Sequence, residues 1–265
     1  MVDPVGPHSP AAPPAPVVLV TGAASGIGEA TVRLYAERGH RVVALDVDRR
    51  GLEPLAALEG VAVLVGDVAS EQSNAEAVAL AVERFGRLDA AVLNAGIGGA
   101  GPLEAPGAVE RFERLFAVNV RGVVLGLRAA LPALRASGGG SVVATSSVSG
   151  LRGDPGTWGY NATKAAVINL VRAAAIDYAA EGIRVNAIAP GGTATAMTAA
   201  QVADPTFSRF ITSRIPAQRW ADAREQAEVV YFLTSPAASY VTGVTVPVDG
   251  GLSANGGILL PPAAR

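Results

Sequence analysis

From Val17 onward, short runs of β-branched apolar residues alternate with longer stretches whose apolar positions recur every three or four residues. The short runs are the pattern of strands buried on both faces, and the longer stretches that of helices with one apolar side. They predict strands over residues 17–21, 41–46, 61–65, 89–93, 141–146, 184–189 and 244–248. Helices are predicted over 26–38, 69–85, 109–135, 160–181 and 222–234, with a shorter one over 50–58. Regular strand–helix alternation implies one parallel sheet of seven strands with right-handed crossovers on both faces. The expected fold is therefore a single doubly wound α/β domain over residues 17–265, with its ligand crevice at the carboxyl ends of the strands.

Two stretches break the rhythm. Residues 1–16 hold six prolines and no Lys or Arg ahead of an apolar run, so they lack the parts of a secretory signal and read as a flexible extension. Residues 191–219 mix Gly, Thr and Pro with Met197, Val202, Phe207, Phe210 and Ile211. A connection of that length is expected to be either a lid on the substrate side or a pair of ordinary surface helices.

Composition narrows the chemistry. The chain has 265 residues, 50% of them hydrophobic, enough for one large core. It has no cysteine and only two histidines, His8 and His40, so neither a disulfide nor a metal centre is expected. A net charge of −2 and a pI near 5.8 supply no basic field for nucleic acid or an anionic membrane. The mean hydropathy is +0.35, yet no stretch of about 18 residues runs free of Arg, Asp or Glu, so no membrane span is expected and a cytoplasmic location is. Small-molecule work fits best.

Directly after the first strand comes Thr21-Gly22-Ala23-Ala24-Ser25-Gly26-Ile27-Gly28, opening a helix. Glycines there let the backbone approach a pyrophosphate, which rests on the amides and positive dipole of the helix start. Gly-x-x-x-Gly-x-Gly alone also suits a tight strand-to-helix turn. Asp46 closes the second strand 24 residues past Gly22, where an acid can accept hydrogen bonds from the adenosine ribose. A 2′-phosphate would be repelled, so NAD is expected over NADP unless Asp46 is only a solvated turn residue. At other strand ends, Asp67-Val68 is positioned to hold the adenine amine and Asn94-Ala95-Gly96 to pack under the cofactor. Either could also be a turn former.

Ser147 and Tyr160-Asn161-Ala162-Thr163-Lys164 carry the reactive chemistry. Tyr160 and Lys164 are four apart and share one face of a helix. A free phenol has a pKa of about 10, and a neighbouring ammonium, helped by the positive ring of an oxidised nicotinamide, stabilises the phenolate. A serine hydrolase would need a usable histidine, and His8 and His40 are badly placed; a phosphoryl-transfer loop would need a lysine that the glycine segment lacks.

With these residues together, the chain resembles the short-chain dehydrogenase/reductase family over residues 17–253. The family's glycine segment matches Thr21 to Gly28, its Asn-Ala-Gly matches Asn94-Ala95-Gly96, and its tetrad falls on Asn119, Ser147, Tyr160 and Lys164. The intervals of 13 residues from Ser147 to Tyr160 and 41 from Asn119 to Tyr160 also agree. The resemblance implies a Rossmann fold and hydride transfer between NAD(H) and an alcohol or ketone. Tyr160 would be the general acid/base, Ser147 would polarise the substrate oxygen, Lys164 would bind the nicotinamide ribose, and Asn119 would hold a relay water. Pro190, Gly191, Thr193 and Thr195 resemble the segment that anchors the carboxamide, with Thr193 where Ile or Val is usual. Leu93 likewise replaces an Asn of many relatives. Gly98, Ser149 and Trp158 would line the substrate side with the 191–219 segment, and no Lys/Arg cluster marks a phosphate-bearing substrate. Relatives pair through the alanine-rich helices around 129–133 and 165–180, implying a homotetramer. The rival expectation is a non-catalytic dinucleotide-binding regulator, in which the tetrad would be damaged.

Overall fold

The computed structural model describes residues 15–99 and 101–256. Seven parallel strands form one sheet: β1 Val17–Thr21, β2 Arg41–Asp46, β3 Val61–Val65, β4 Ala90–Leu93, β5 Gly140–Thr145, β6 Ile183–Pro190 and, after a small pair, β9 Thr245–Val248. Their order is β3-β2-β1-β4-β5-β6-β9, so the chain reverses direction across the sheet between β1 and β4. That reversal opens the crevice where doubly wound sheets take ligands.

Both faces of β1, β2, β4, β5 and β6 are buried, which is why they read as continuous apolar runs rather than alternating ones. Val17 and Leu19 of β1 point into a core shared with α3 (Glu71–Phe85), α5 (Gly122–Ala136) and α7 (Trp158–Tyr178). Val18 and Val20 point into the opposite core, with α1 (Gly26–Glu37), α2 (Arg49–Ala56) and α10 (Ala223–Thr234). His40 packs edge-on against Tyr35 and Tyr231 beside the amino end of β2, away from the crevice. His8 and the N-terminal extension lie outside the described residues.

The expected helix over 109–135 is not continuous. It divides into α4 (Ala108–Phe116), one π-helical turn at Ala117–Arg121, and α5. A π turn widens the helix by one residue, and here that residue set centres on the fully buried Asn119. The stretch Ala108–Ala136 is long and apolar enough to cross a membrane, but more than half of its most apolar 18 residues are buried within the fold. Residues 191–219 fold into a short strand, β7 (Thr193–Ala194), paired with β8 (Ala221–Asp222), and two short helices, α8 (Ala199–Ala203) and α9 (Pro205–Thr212). Met197, Phe207 and Phe210 of this segment are exposed, and Met197 sits over Gly98. The sequence also gave no warning of α6 (Val148–Leu151), a single turn capped by Ser147, whose hydroxyl accepts from the Ser149 amide.

Candidate active site

The crevice is walled first by backbone. Gly22 and Gly26 have φ of +65° and +55°, and a Cβ on Gly28 would stand 1.9 Å from the Gly22 carbonyl oxygen. Only glycine lets α1 begin this close to the end of β1. Ser25, the N-cap, is extended and makes no side-chain cap bond, so the first amides of α1, including that of Ile27, face the crevice without a capping side chain. Across from them stands Thr195, which a Cβ on Gly26 would meet at 3.1 Å. Uncapped amides facing a slot that admits no side chain suit a dinucleotide's phosphates.

Asn94 staples three strands under this slot. Its side chain donates to the carbonyls of Thr21 and Gly22 at 3.2 and 3.3 Å and accepts from the Thr145 hydroxyl at 3.1 Å. The amides of Asn94 and Ala95 both donate to the Thr21 hydroxyl. Asp46, at the end of β2, accepts from the Ala24 amide of the glycine loop and the Asp48 amide, each at 2.9 Å. Its carboxylate is thereby held against the loop, not left in solvent. Asp67 is exposed and turns its carboxylate to the Ala69 amide, while Val68 is buried beneath it. On the far side, Gly191 packs so tightly on Asp249 that a Cβ would lie 2.7 Å from its Cα. Pro190 ends β6 in register with Val248, and the Gly191 amide donates to the Val248 carbonyl at 3.0 Å, fixing where this wall starts.

The tetrad residues converge at the carboxyl ends of β4 and β5. Asn119 brackets Ile97, accepting from its amide at 2.8 Å and donating to its carbonyl at 3.0 Å, and also donates to Thr163. A Cβ on Gly96 would lie 3.2 Å from the Lys164 Nζ and 3.3 Å from the Asn119 Oδ1, so these two groups share one small space. Lys164 is buried, donates to the Thr145 carbonyl at 2.8 Å, and lies 5.7 Å from the Tyr160 ring centroid. Burial pulls its pKa down to about 8. Burial pushes the Tyr160 phenol up, the nearby Ser147 hydroxyl opposes this, and the Asp154 carboxylate adds to it. The expected lowering of the phenol is thus not a property of the polypeptide by itself, where loss of solvation outweighs a lysine committed to a carbonyl.

Of the expected substrate wall, Ser149 is one turn from Ser147, and Gly98 lies under Met197. Trp158 stacks on Phe112 of α4, centroids 5.5 Å apart, and closes a small cavity of about 20 Å³ with Gly99, Arg111 and Leu115. Sequence reading missed Thr145, Ser146 and Thr163, which fasten the tetrad from behind. Ser146 donates to the Lys164 carbonyl and Thr163 to that of Tyr160, each at 2.8 Å. The available signal was hydroxyl residues closing an apolar strand and preceding a helical lysine. Also missed was Gln226, fully buried, which donates to the Thr193 hydroxyl and so secures the segment carrying Thr195.

A dinucleotide cradle ending at a hydroxyl, a phenol and a buried ammonium defines an oxidoreductase that transfers a hydride. Residues 22–253 match the family described as enoyl-(acyl carrier protein) reductase. The chain is 42% identical to levodione reductase of Leifsonia aquatica, over 90% of this chain and 94% of that one. It is 43% identical to cis-4-hydroxycyclohexanecarboxylate dehydrogenase of Sinomonas cyclohexanicum, over 90% and 96%. Among solved structures it superimposes on levodione reductase with a TM-score of 0.85 at 41% identity, covering 90% of this chain and 98% of the other. A 3-ketoacyl-(acyl-carrier-protein) reductase from Brucella melitensis complexed with NADH gives 0.84 at 34%, covering 91% and 99%. ElxO with NADP bound gives 0.85 at 29%, covering 91% and 100%. The chain belongs to the short-chain dehydrogenase/reductase family.

Proposed function

We propose that the protein is an NAD(H)-dependent dehydrogenase/ketoreductase acting on an uncharged secondary alcohol or ketone, with Tyr160 as the proton-transfer residue. The observation that carries this reading is the buried Lys164 ammonium lying 5.7 Å from the Tyr160 ring centroid, with the Ser147 hydroxyl acting on the same phenol. The bound cofactor supplies or receives the hydride. The protein's own task is to place the substrate oxygen between the Ser147 and Tyr160 hydroxyls and to move one proton at the Tyr160 oxygen. Lys164 holds positive charge near that oxygen and reaches the ribose side of the crevice, while Asn119 keeps Ile97 and the helix behind Lys164 in register.

The glycine loop, Asp67, Val68, Asn94, Ala95, Gly96 and the run Pro190, Gly191, Thr193, Thr195 would hold the cofactor. Asp46 supports NAD over NADP, because its fixed carboxylate accepts ribose hydroxyls and repels a phosphate. Gly98, Ser149 and Trp158 are proposed to bound the substrate. The Sinomonas relative acts, by its name, on a ring-borne secondary alcohol, and we carry that substrate shape to this chain. We place the enzyme in the cytoplasm as a homotetramer. Assembly is supported by Phe116, Val124 and Ile176, which α4, α5 and α7 leave exposed; light scattering after size exclusion tests it. The activity test follows NADH absorbance across a panel of cyclic secondary alcohols and ketones. Turnover lost in Tyr160→Phe supports the reading, and no turnover of any alcohol or ketone with either cofactor rejects it.

A further inference from the structure

Between Ser147 and Tyr160 the chain carries a charge that the tetrad does not use. Asp154 is tied at its backbone to the start of α7: its carbonyl accepts from the Asn161 side chain at 2.9 Å and from the Thr157 hydroxyl at 3.2 Å. Its carboxylate accepts from the Ser149 hydroxyl at 2.6 Å through Oδ2. The Ser149 amide in turn donates to the Ser147 hydroxyl at 3.1 Å. Asp154 is thus tied through its backbone carbonyl to the start of α7 and through one carboxylate oxygen to Ser149, and its field reaches the Tyr160 phenol. The other oxygen, Oδ1, is ion-paired with Arg152, whose Nε lies 3.8 Å away, longer than a hydrogen bond. Arg152 extends toward the Leu252 carbonyl at 3.5 Å. Both side chains are about a third exposed, and nothing lies within 4 Å of where a Cβ on Gly153 or Gly156 would point, so the loop leaves room beside the carboxylate.

We propose that Asp154 is a specificity-determining residue: a fixed anion beside Ser147 and Tyr160 that accepts a hydrogen bond from a second hydroxyl on the substrate and turns carboxylate-bearing alcohols away. A carboxylate with one oxygen satisfied and one open is an acceptor, and it binds a donor group without reorganising. The same charge opposes a substrate anion, to the extent that its partial exposure and Arg152 leave it unscreened. It also opposes the phenolate, so it keeps the Tyr160 proton in place. The charged groups around this point are Lys164 on the helix of Tyr160 itself, Asp154 on the preceding loop and Arg152 against Asp154. The substrate half of the proposal rests on the ring-alcohol reading above. It predicts that this chain turns away the carboxylate-bearing alcohol for which the Sinomonas relative is named.

Asp154→Asn keeps the acceptor for Ser149 and removes the charge. The first measurement needs neither substrate nor cofactor. Tyrosinate absorbance is titrated in the parent and in Asp154→Asn, and the share of Tyr160 is isolated by subtracting the same titration in backgrounds carrying Tyr160→Phe. The Tyr160 midpoint is expected to fall by about half a pH unit or more in Asp154→Asn; an unmoved midpoint overturns the proposal. The second measurement compares kcat/KM for cyclohexanol, cyclohexane-1,4-diol and cis-4-hydroxycyclohexanecarboxylate. Relative to cyclohexanol, Asp154→Asn should gain about tenfold on the carboxylate and lose about tenfold on the diol. Ratios equal to the parent's overturn the specificity claim. If the parent turns over none of the three, the ring-alcohol reading fails, and the tyrosinate midpoint alone decides for or against Asp154.

Discussion

The ammonium of Lys164 donates to the carbonyl oxygen of Thr145, the last residue of β5, across 2.8 Å of interior that solvent does not reach. Holding a cation there costs stability. The unfolded chain keeps Lys164 at its ordinary value of 10.5, whereas the folded chain holds it at about 8. Between those values the unfolded state binds more protons, so stability rises with pH across that window, and the penalty is full only below it. From near pH 7 to near pH 10 the parent should gain about 2–3 kcal/mol relative to Lys164→Met, in which nothing titrates at that position. Near pH 7 the variant trades the penalty for an orphaned carbonyl costing about 1–3 kcal/mol, so it should match or exceed the parent. Urea unfolding of both proteins at the two pH values checks this, and a constant difference between them contradicts it.

Tyr160→Phe removes one oxygen and preserves the ring that fills the space beside Lys164. Acid/base residues contribute about 10²–10⁴-fold. Turnover at saturating cofactor should fall by that range, while the dissociation constant for NAD, read by fluorescence, stays within about threefold. A variant that works near the parental rate removes Tyr160 from proton transfer.

Most of the frame was legible in the sequence, for a physical reason. Strands buried on both faces leave unbroken apolar runs, so β1 and β2 begin and end where the pattern places them, as does the apolar edge strand β3. The glycine loop was legible because close backbone approach excludes every other residue at Gly28. The π turn at Ala117–Arg121 was not, since inserting one residue into a helix leaves the apolar residues on either side with an ordinary helical period. Nor were the fastening contacts of Thr145, Ser146, Thr163 and Gln226. Except for the Thr163 bond to Tyr160, these join residues distant in sequence, and a buried hydroxyl or amide carries no periodic signal. Asp154, in Gly-Asp-Pro-Gly, carried no signal in the sequence either, because its tie to the site runs through Ser149.

Gly28→Ala tests the cradle directly. The added carbon would lie 1.9 Å from the Gly22 carbonyl oxygen, a backbone atom that cannot swing aside. α1 must shift outward, which costs about 1–3 kcal/mol as overpacking and carries the uncapped amides away from the phosphates. The melting temperature should drop, and NAD affinity should weaken by about tenfold or more. A variant with both unchanged would show that α1 does not start where the cradle requires.

Cofactor choice rests on Asp46, whose carboxylate is held by the Ala24 and Asp48 amides, each at 2.9 Å. Two amides orient the group but leave it negative and with lone pairs free, so it can still accept from both ribose hydroxyls. A 2′-phosphate would lose those bonds and meet a like charge, at a cost of about 2–4 kcal/mol once screening is allowed for. That corresponds to a preference for NAD on the order of 30- to 700-fold in kcat/KM. Arg49 and Arg50 lie exposed at the start of α2 and are the cations best placed to rescue NADP by swinging toward the phosphate. Asp46→Ala should therefore raise relative NADP use by about tenfold or more. It should also weaken NAD binding, since the Ala24 amide loses its acceptor and the glycine loop its tether to β2. Measuring kcat/KM for both cofactors in the parent and the variant decides the matter: equal efficiencies in the parent, or no relative gain for NADP in Asp46→Ala, would take Asp46 away from the ribose.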